Sequence, residues 1–205
     1  MNHKDVKHMK IGEARQIYSG QIKAYQQQKV ALSKQKQELE KKINATENGK
    51  ELFAKEAAVL ELTYNAVSEK QEEYQNYMDK LMQQWTAHTN AEVSKQQGEA
   101  MEDYVEDMGK IMEVARRLMK GDIVPATDEK KLMEYSMELY QSAKSIGAMK
   151  KLEEREEHDS LWEDEEAPAE NPDPMEVADN KTVFADGPDI VDVADTMAAA
   201  VPEEG

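Results

Sequence analysis

Histidines and paired carboxylates are the residues here that could hold a metal or move a proton near neutral pH. The four histidines, His3, His8, His88 and His158, stand in four separate contexts, and only His3 and His8 are close together. They are the right residue type for a metal pair. They fall, however, in an extension whose natural start is either Met1 or Met9. His88 continues the heptad of Leu81, so it reads as a seam-lining histidine, with a pH-sensitive hinge as the sharper alternative. Carboxylates are abundant, but acid–base catalysis needs two of them held in a cleft in unequal environments, which solvated helix faces do not provide. Asp186, Asp189, Asp192 and Asp195 recur every third residue and suggest calcium, yet they lack the central glycine and terminal glutamate of an EF-hand loop. Phosphate-binding glycine loops, zinc-protease helices and serine-nucleophile elbows are missing from the sequence. With no cysteine there is also no thiol nucleophile, thiolate metal site or disulfide framework. The expectation is therefore no catalytic residue, no cofactor, no metal and no enzymatic activity.

Binding chemistry is better represented. Ser160-Leu161-Trp162-Glu163-Asp164-Glu165-Glu166 sets two apolar side chains in an acidic run, a form that short binding motifs take. Leu161 and Trp162 are candidate partner-binding residues, the alternative being a Trp that packs on the end of the preceding helix. Phe184, with Val183 and the nearby Ile190, Val191 and Val193, is a second candidate segment that would fold on a partner. Lys34, Lys36, Lys41 and Lys42 could track a phosphate backbone, but the facing segment is acidic, so internal charge complementarity is the better account. Nucleic acid is not expected as a partner. The mixed-sign polar faces and overall charge of -17 argue against a membrane surface as well. Asn44-Ala45-Thr46 and Asn180-Lys181-Thr182 match the glycosylation pattern, which carries no weight without export.

The elements that would position these residues are helices. Gly (9), Pro (6) and Phe (2) are scarce, and Glu, Lys, Gln, Ala and Met, which lose little rotamer freedom in a helix, are plentiful. Ile11, Tyr18, Tyr25, Leu32 and Leu39 recur every seven residues, joined by Ile22 and Ile43, which predicts a helix over about 11–45 with a coiled-coil stripe. Arg15, Lys29 and Lys36 occupy its second position, where only their stems can be buried. Thr46-Glu47-Asn48-Gly49 supplies the turn. A second seam follows: Phe53, Leu60, Val67, Tyr74 and Leu81, with Ala57, Tyr64, Met78 and Trp85, interrupted by Gln71. It loses its apolar members near 86–98 and resumes in another phase as Met101, Val105, Met108, Met112, Ala115 and Met119, as a stutter or break would produce. Gly121 and Pro125 end that stretch. Thr127 is the expected N-cap of a third helix carrying Leu132, Tyr135, Leu139, Ala143, Ile146, Met149 and Leu152, fraying at 153–157.

Folding about 47–48 sets Leu32 near Tyr64 and Ile11 near Trp85; folding about 123–124 sets Leu132 near Ala115 and Ile146 near Met101. The predicted fold is all-α: elongated antiparallel helical hairpins of coiled-coil type, three helical segments around one long central helix roughly 100 Å in length, with a disordered acidic C-terminal tail. The boundaries are 1–10 for a flexible N-terminus, 11–155 for the helical body and 156–205 for the tail. Charge supports that division, because residues 153–205 hold 19 of the 43 acidic residues and 2 of the 26 basic ones, leaving residues 1–152 balanced. Five of the six prolines also fall in the tail, which has too little apolar area to offset the entropy of ordering.

Long helical hairpins with acidic tails resemble, in composition alone, export chaperones and phage scaffolding proteins. The N-terminus has no apolar segment and no apolar run is long enough to span a bilayer, so a cytoplasmic address without a membrane is expected. The function expected is that of a coiled-coil interaction protein, an adaptor or scaffold for protein partners, with leftover seam area suited to a homodimer. The alternative is an acidic-tailed escort of a basic or nucleic-acid-binding client.

Overall fold

The computed structural model describes residues 9–149, 155–163 and 170–201. They form seven α-helices: α1 (Ile11–Ala45), α2 (Gly49–Leu52), α3 (Ala54–Lys120), α4 (Ala126–Tyr135), α5 (Met137–Ala148), α6 (Pro174–Asp179) and α7 (Val193–Ala199). The described residues contain no strand, only two isolated β-bridges, and no helix long and apolar enough to cross a membrane. Two compact units are present, residues up to Glu92 with those from Pro172 onward, and Val93–Asn171; α3 contributes to both.

In the first unit, Ile11, Ala14, Tyr18, Tyr25, Leu32 and Leu39 of α1 are buried. They meet Val67, Tyr74, Tyr77 and Leu81 of α3 in one core. The helices run antiparallel. The Gln71 amide donates to Gln26 Oε1 at 2.6 Å, Lys36 pairs with Glu61, and the Arg15 guanidinium lies 4.6 Å above the Trp85 ring. The cations interrupting the α1 stripe thus find aromatic faces, with Lys36 Nζ 4.7 Å from the Tyr64 centroid. At the reversal Asn48 takes the left-handed conformation, φ 57°. Gly49 is required for a different reason: any Cβ there would overlap the Ile43 carbonyl.

The tail departs from expectation. Instead of remaining unstructured, residues 172–201 lie on the first unit. Ile11 N donates to Lys181 O and Val183 N to Met9 O, closing an antiparallel bridge between Lys10 and Thr182. Asp173 caps α6 and Asp192 caps α7, each accepting from the backbone two residues on at 2.8 Å. Ala178 and Val183 are buried, and Arg15 pairs with Asp179 at 2.8 Å. Composition is a poor guide here because the docked backbone is satisfied by donors on another element.

The second unit also differs from the expected hairpin. Gly121, φ 89°, ends α3, with Asp122 N bonded back to Arg117 O. The next helix starts at Ala126, so Thr127 lies in its first turn rather than capping it. It stops at Tyr135, where Ser136 is extended and accepts from Leu139 N at 3.2 Å to start α5. The chain folds back there: Glu129 of α4 receives bonds from Tyr140 and Lys144 of α5, at 2.9 Å and 2.7 Å, and Gly147 packs on the Leu118 carbonyl. Leu132 does share a core with Ala115, Val114, Leu118, Val124 and Ala143. Ile146 and Met101, however, are both exposed, which corrects their expected pairing. Leu152 and the fraying expected at 153–154 lie outside the described residues. Replacing Ser136 with alanine should cost about 1 kcal/mol in the unfolding free energy; an unchanged denaturation midpoint would mean that the cap does not set the break.

Candidate functional site

Four tyrosines build an extended polar construction in the first unit. Tyr18 and Tyr25 come from α1 and Tyr74 and Tyr77 from α3; at helical spacing their rings share the buried seam, with Tyr18 and Tyr77 centroids 4.6 Å apart and Tyr25 and Tyr74 5.4 Å apart. A buried phenol needs a partner for its hydroxyl. All four find one on the main chain of residues 185–192. Tyr77 donates to Ala185 O at 2.9 Å, Tyr18 to Pro188 O at 2.7 Å, Tyr74 to Asp189 O at 2.9 Å and Tyr25 to Val191 O at 3.0 Å. The Tyr74 oxygen also accepts from Val191 N at 2.9 Å. Gln84 extends the row, donating to Thr182 O at 3.0 Å and accepting from Phe184 N at 3.1 Å. This segment, residues 182–192, is called the strap below.

Because the clamp holds carbonyls and amides, the strap's aspartates and Phe184 are left to point outward, while Val183 is buried in the core. Asp186, Asp189, Asp192 and Asp195 are exposed, and Phe184, one of the candidate residues, is 93% exposed. Only a glycine fits at 187, where a Cβ would overlap the Tyr18 hydroxyl and stand 2.6 Å from Tyr77 Cε1.

Burial, with smaller contributions from nearby carboxylates, holds Tyr18, Tyr74 and Tyr77 in their neutral form. The Tyr74 hydroxyl is pushed up to about 12 from an ordinary value of 10, and Tyr18 and Tyr77 are raised by the same causes, burial first. A group whose folded pKa lies above its unfolded one contributes stability that is complete below the unfolded value and lost as pH climbs toward the folded one. The first unit should therefore keep its stability up to about pH 10 and lose it between there and about pH 12. Ultraviolet titration should show a late-ionising tyrosine class that disappears in denaturant; a single transition near the ordinary value in the native protein would contradict the clamp.

Leu161 and Trp162 are placed by a second construction. Asp128, in the first turn of α4, is fully buried. Its carboxylate accepts from Ser160 Oγ at 2.6 Å, Leu161 N at 3.0 Å and Thr127 Oγ1 at 3.1 Å. Both apolar side chains pack on the second unit's core. The Trp162 indole donates to Asp107 at 2.8 Å, and Lys131 Nζ sits 4.1 Å from its ring centroid. Leu161 and Trp162 are thus brought together on the body, and Phe184 lies in the other unit.

Other polar groupings are sparser. Ile123 and Glu157 form a parallel bridge that brings His158 Nε2 within 3.2 Å of Asp122 Oδ2 and 3.9 Å of Glu156 Oε2. Those three side chains could reach one cation between them, although Glu156 is largely exposed. His88 is half-buried on α3, and His3 and His8 lie outside the described residues. An open groove of about 930 Å³ runs along the first unit between Leu32, Leu39, Leu60, Thr63 and Met197.

The remaining feature is apolar. Met101, Tyr104, Val105 and Met112 are 63%, 55%, 62% and 47% exposed on α3, with Met108 half-buried in the same row. The sequence pattern contains this row, but it was expected to be covered. The phenol clamp and the Asp128 anchor were missed. The available signals were four tyrosines on one buried stripe, whose hydroxyls must go somewhere, and an acid in the first turn of a helix. Comparison of the chain with models of protein families, with curated proteins and with solved structures finds no match.

Proposed function

We propose that the chain acts by contact, without catalysis, as a cytoplasmic adaptor or scaffold for protein partners, its paired helices forming antiparallel coiled-coil hairpins. The observation that carries this reading is the exposed row from Met101 to Met112. Four large apolar side chains at helical spacing on one solvent-facing stretch cost solubility unless something covers them. Methionine and tyrosine, which dominate the row, suit adaptable interfaces. The test is recovery of host proteins with a tagged full-length chain, comparing the wild type with Met101→Glu and Val105→Glu, both at exposed positions. Partners retained by the wild type and lost from the variants support the role. Identical recovery from all three, or none from any, overturns it.

A second reading, an escort for a basic or nucleic-acid-binding client, draws on the strap. Its three aspartates, with Asp195 in α7 just beyond it, and Phe184 form an acidic outward row with one aromatic, a surface suited to a basic segment. A chain carrying Asp186, Asp189, Asp192 and Asp195 as asparagines should lose salt-sensitive binding to a lysine-rich peptide; unchanged binding, or none by the wild type, would dismiss the reading.

A further inference from the structure

We infer that Asp122, Glu156 and His158 form a site for a divalent transition-metal cation of the zinc class, and that the bound cation fastens residues 156–163 to the end of α3. The inference is independent of the contact role proposed above.

Backbone bonds set the position of the three donors. Gly121 ends α3, and the chain leaves it through Asp122 and Ile123. Ile123 N donates to Glu156 O at 2.8 Å and His158 N donates to Ile123 O at 3.2 Å, which closes the parallel bridge between Ile123 and Glu157. Side chains alternate along extended backbone, so Glu156 and His158 leave it on the side opposite to Glu157. There they meet Asp122: His158 Nε2 lies 3.2 Å from Asp122 Oδ2 and 3.9 Å from Glu156 Oε2, and one donor atom from each residue lies within 4.8 Å of the other two. Two ligands of a tetrahedral zinc, each about 2.0–2.1 Å from the ion, stand about 3.4 Å apart. The His158–Asp122 pair already has nearly that spacing. Glu156, with 75% of its side chain in solvent, closes the remaining gap by rotation without disturbing the core.

The state of Asp122 points separately to a cation. Its side chain is only 8% exposed, yet among the described residues it has no hydrogen bond or ion pair outside the cluster. Arg116, whose charge acts on Asp122 through space, is committed to Glu113. A carboxylate drawn out of water needs a countercharge, and a neutral imidazole supplies none. A divalent ion among the three donors supplies it and balances both carboxylates. The imidazole selects the class of ion, because nitrogen donors suit zinc and its neighbours whereas magnesium and calcium are held by oxygen.

The consequence falls on the segment that follows. Just beyond His158, Ser160 and Leu161 bond to the Asp128 carboxylate and Trp162 packs on the second unit's core. A cation holding Glu156 and His158 ties this segment at its other end, so occupancy of the site governs how readily Leu161 and Trp162 leave the body.

The test uses the full chain carrying His3→Ala and His8→Ala, which removes the terminal imidazoles from competition. Zinc chloride should fill one saturable site per chain by calorimetry, and magnesium chloride at the same concentration should neither fill it nor displace zinc. Loss of even an outer-shell partner costs about 10–100-fold in metal affinity, so Asp122→Asn and His158→Ala should each weaken zinc by about tenfold or more. Zinc should also slow amide exchange across 156–163 in the parent chain and leave it unchanged in His158→Ala. Circular dichroism confirms that each variant folds; should Asp122→Asn not fold, His158→Ala and Glu156→Gln decide the matter by the same loss of affinity. A parent chain with no saturable zinc site, or one that magnesium fills equally well, would overturn the inference. So would zinc affinity unchanged in the folded variants, or zinc binding that leaves exchange across 156–163 unaltered.

Discussion

Gly187→Val is expected to detach the strap from the tyrosine clamp while leaving the α1–α3 pair folded. The valine Cβ would collide with Tyr18 and Tyr77 side chains that are locked in the core and cannot swing away. Relief therefore comes from the strap, whose departure breaks the bonds to Tyr18, Tyr25, Tyr74 and Tyr77. Each such bond contributes about 1 kcal/mol net, and the freed phenols regain water. A loss of about 3–4 kcal/mol in the first unit is expected. Limited proteolysis should then cut between Ala185 and Asp192 at least tenfold faster than in the wild type, and the late-ionising tyrosines should titrate earlier. Unchanged proteolysis and an unchanged titration would mean that the strap is not held by its backbone at this point. Tyr74→Phe provides a milder control, removing one donor and one acceptor without changing the packing.

The second large effect is expected from Asp128→Ala. Removing this fully buried carboxylate strands the Ser160 hydroxyl and the Leu161 amide, and bonds to a charged acceptor are stronger than neutral ones. The anchored segment should release and carry Leu161 and Trp162 with it, at a cost of about 3–4 kcal/mol in the second unit. Trp85 is the only other tryptophan, so the readout is clean in a Trp85→Phe background: Trp162 emission should shift to the red and become accessible to quencher. Asp128→Asn, which keeps an acceptor, should show a smaller shift. If emission stays unchanged in the alanine variant, Trp162 is held by its ring contacts and the carboxylate is incidental.

These two constructions mark where sequence reasoning succeeds and where it stops. The helical character of residues 11–45, the turn at 46–49, the capped end of α3 at Gly121 and the core positions Tyr18, Tyr25, Leu32, Val67, Tyr74 and Leu132 all follow from side-chain periodicity and local backbone preference. Such signals act within a few residues, so they can be read along the chain. The docking of residues 172–201 could not be, because its partners lie more than a hundred residues away and the bonds involve carbonyls and amides that every sequence possesses. Composition reports how much apolar area a segment brings, and it is silent about donors waiting on another helix. The same holds for Asp128, whose identity was visible but whose burial arises only when residues 155–163 return across α4.

What the amino-acid order determined by itself was α1, most of α3, their apolar stripes and the separation of charge along α3. The tertiary structure decided which stripes are covered: it turned the chain back at Ser136 and left Met101–Met112 facing solvent. The physical reason is that a stripe's periodicity depends on neighbours in the chain, whereas its burial depends on the path of distant segments.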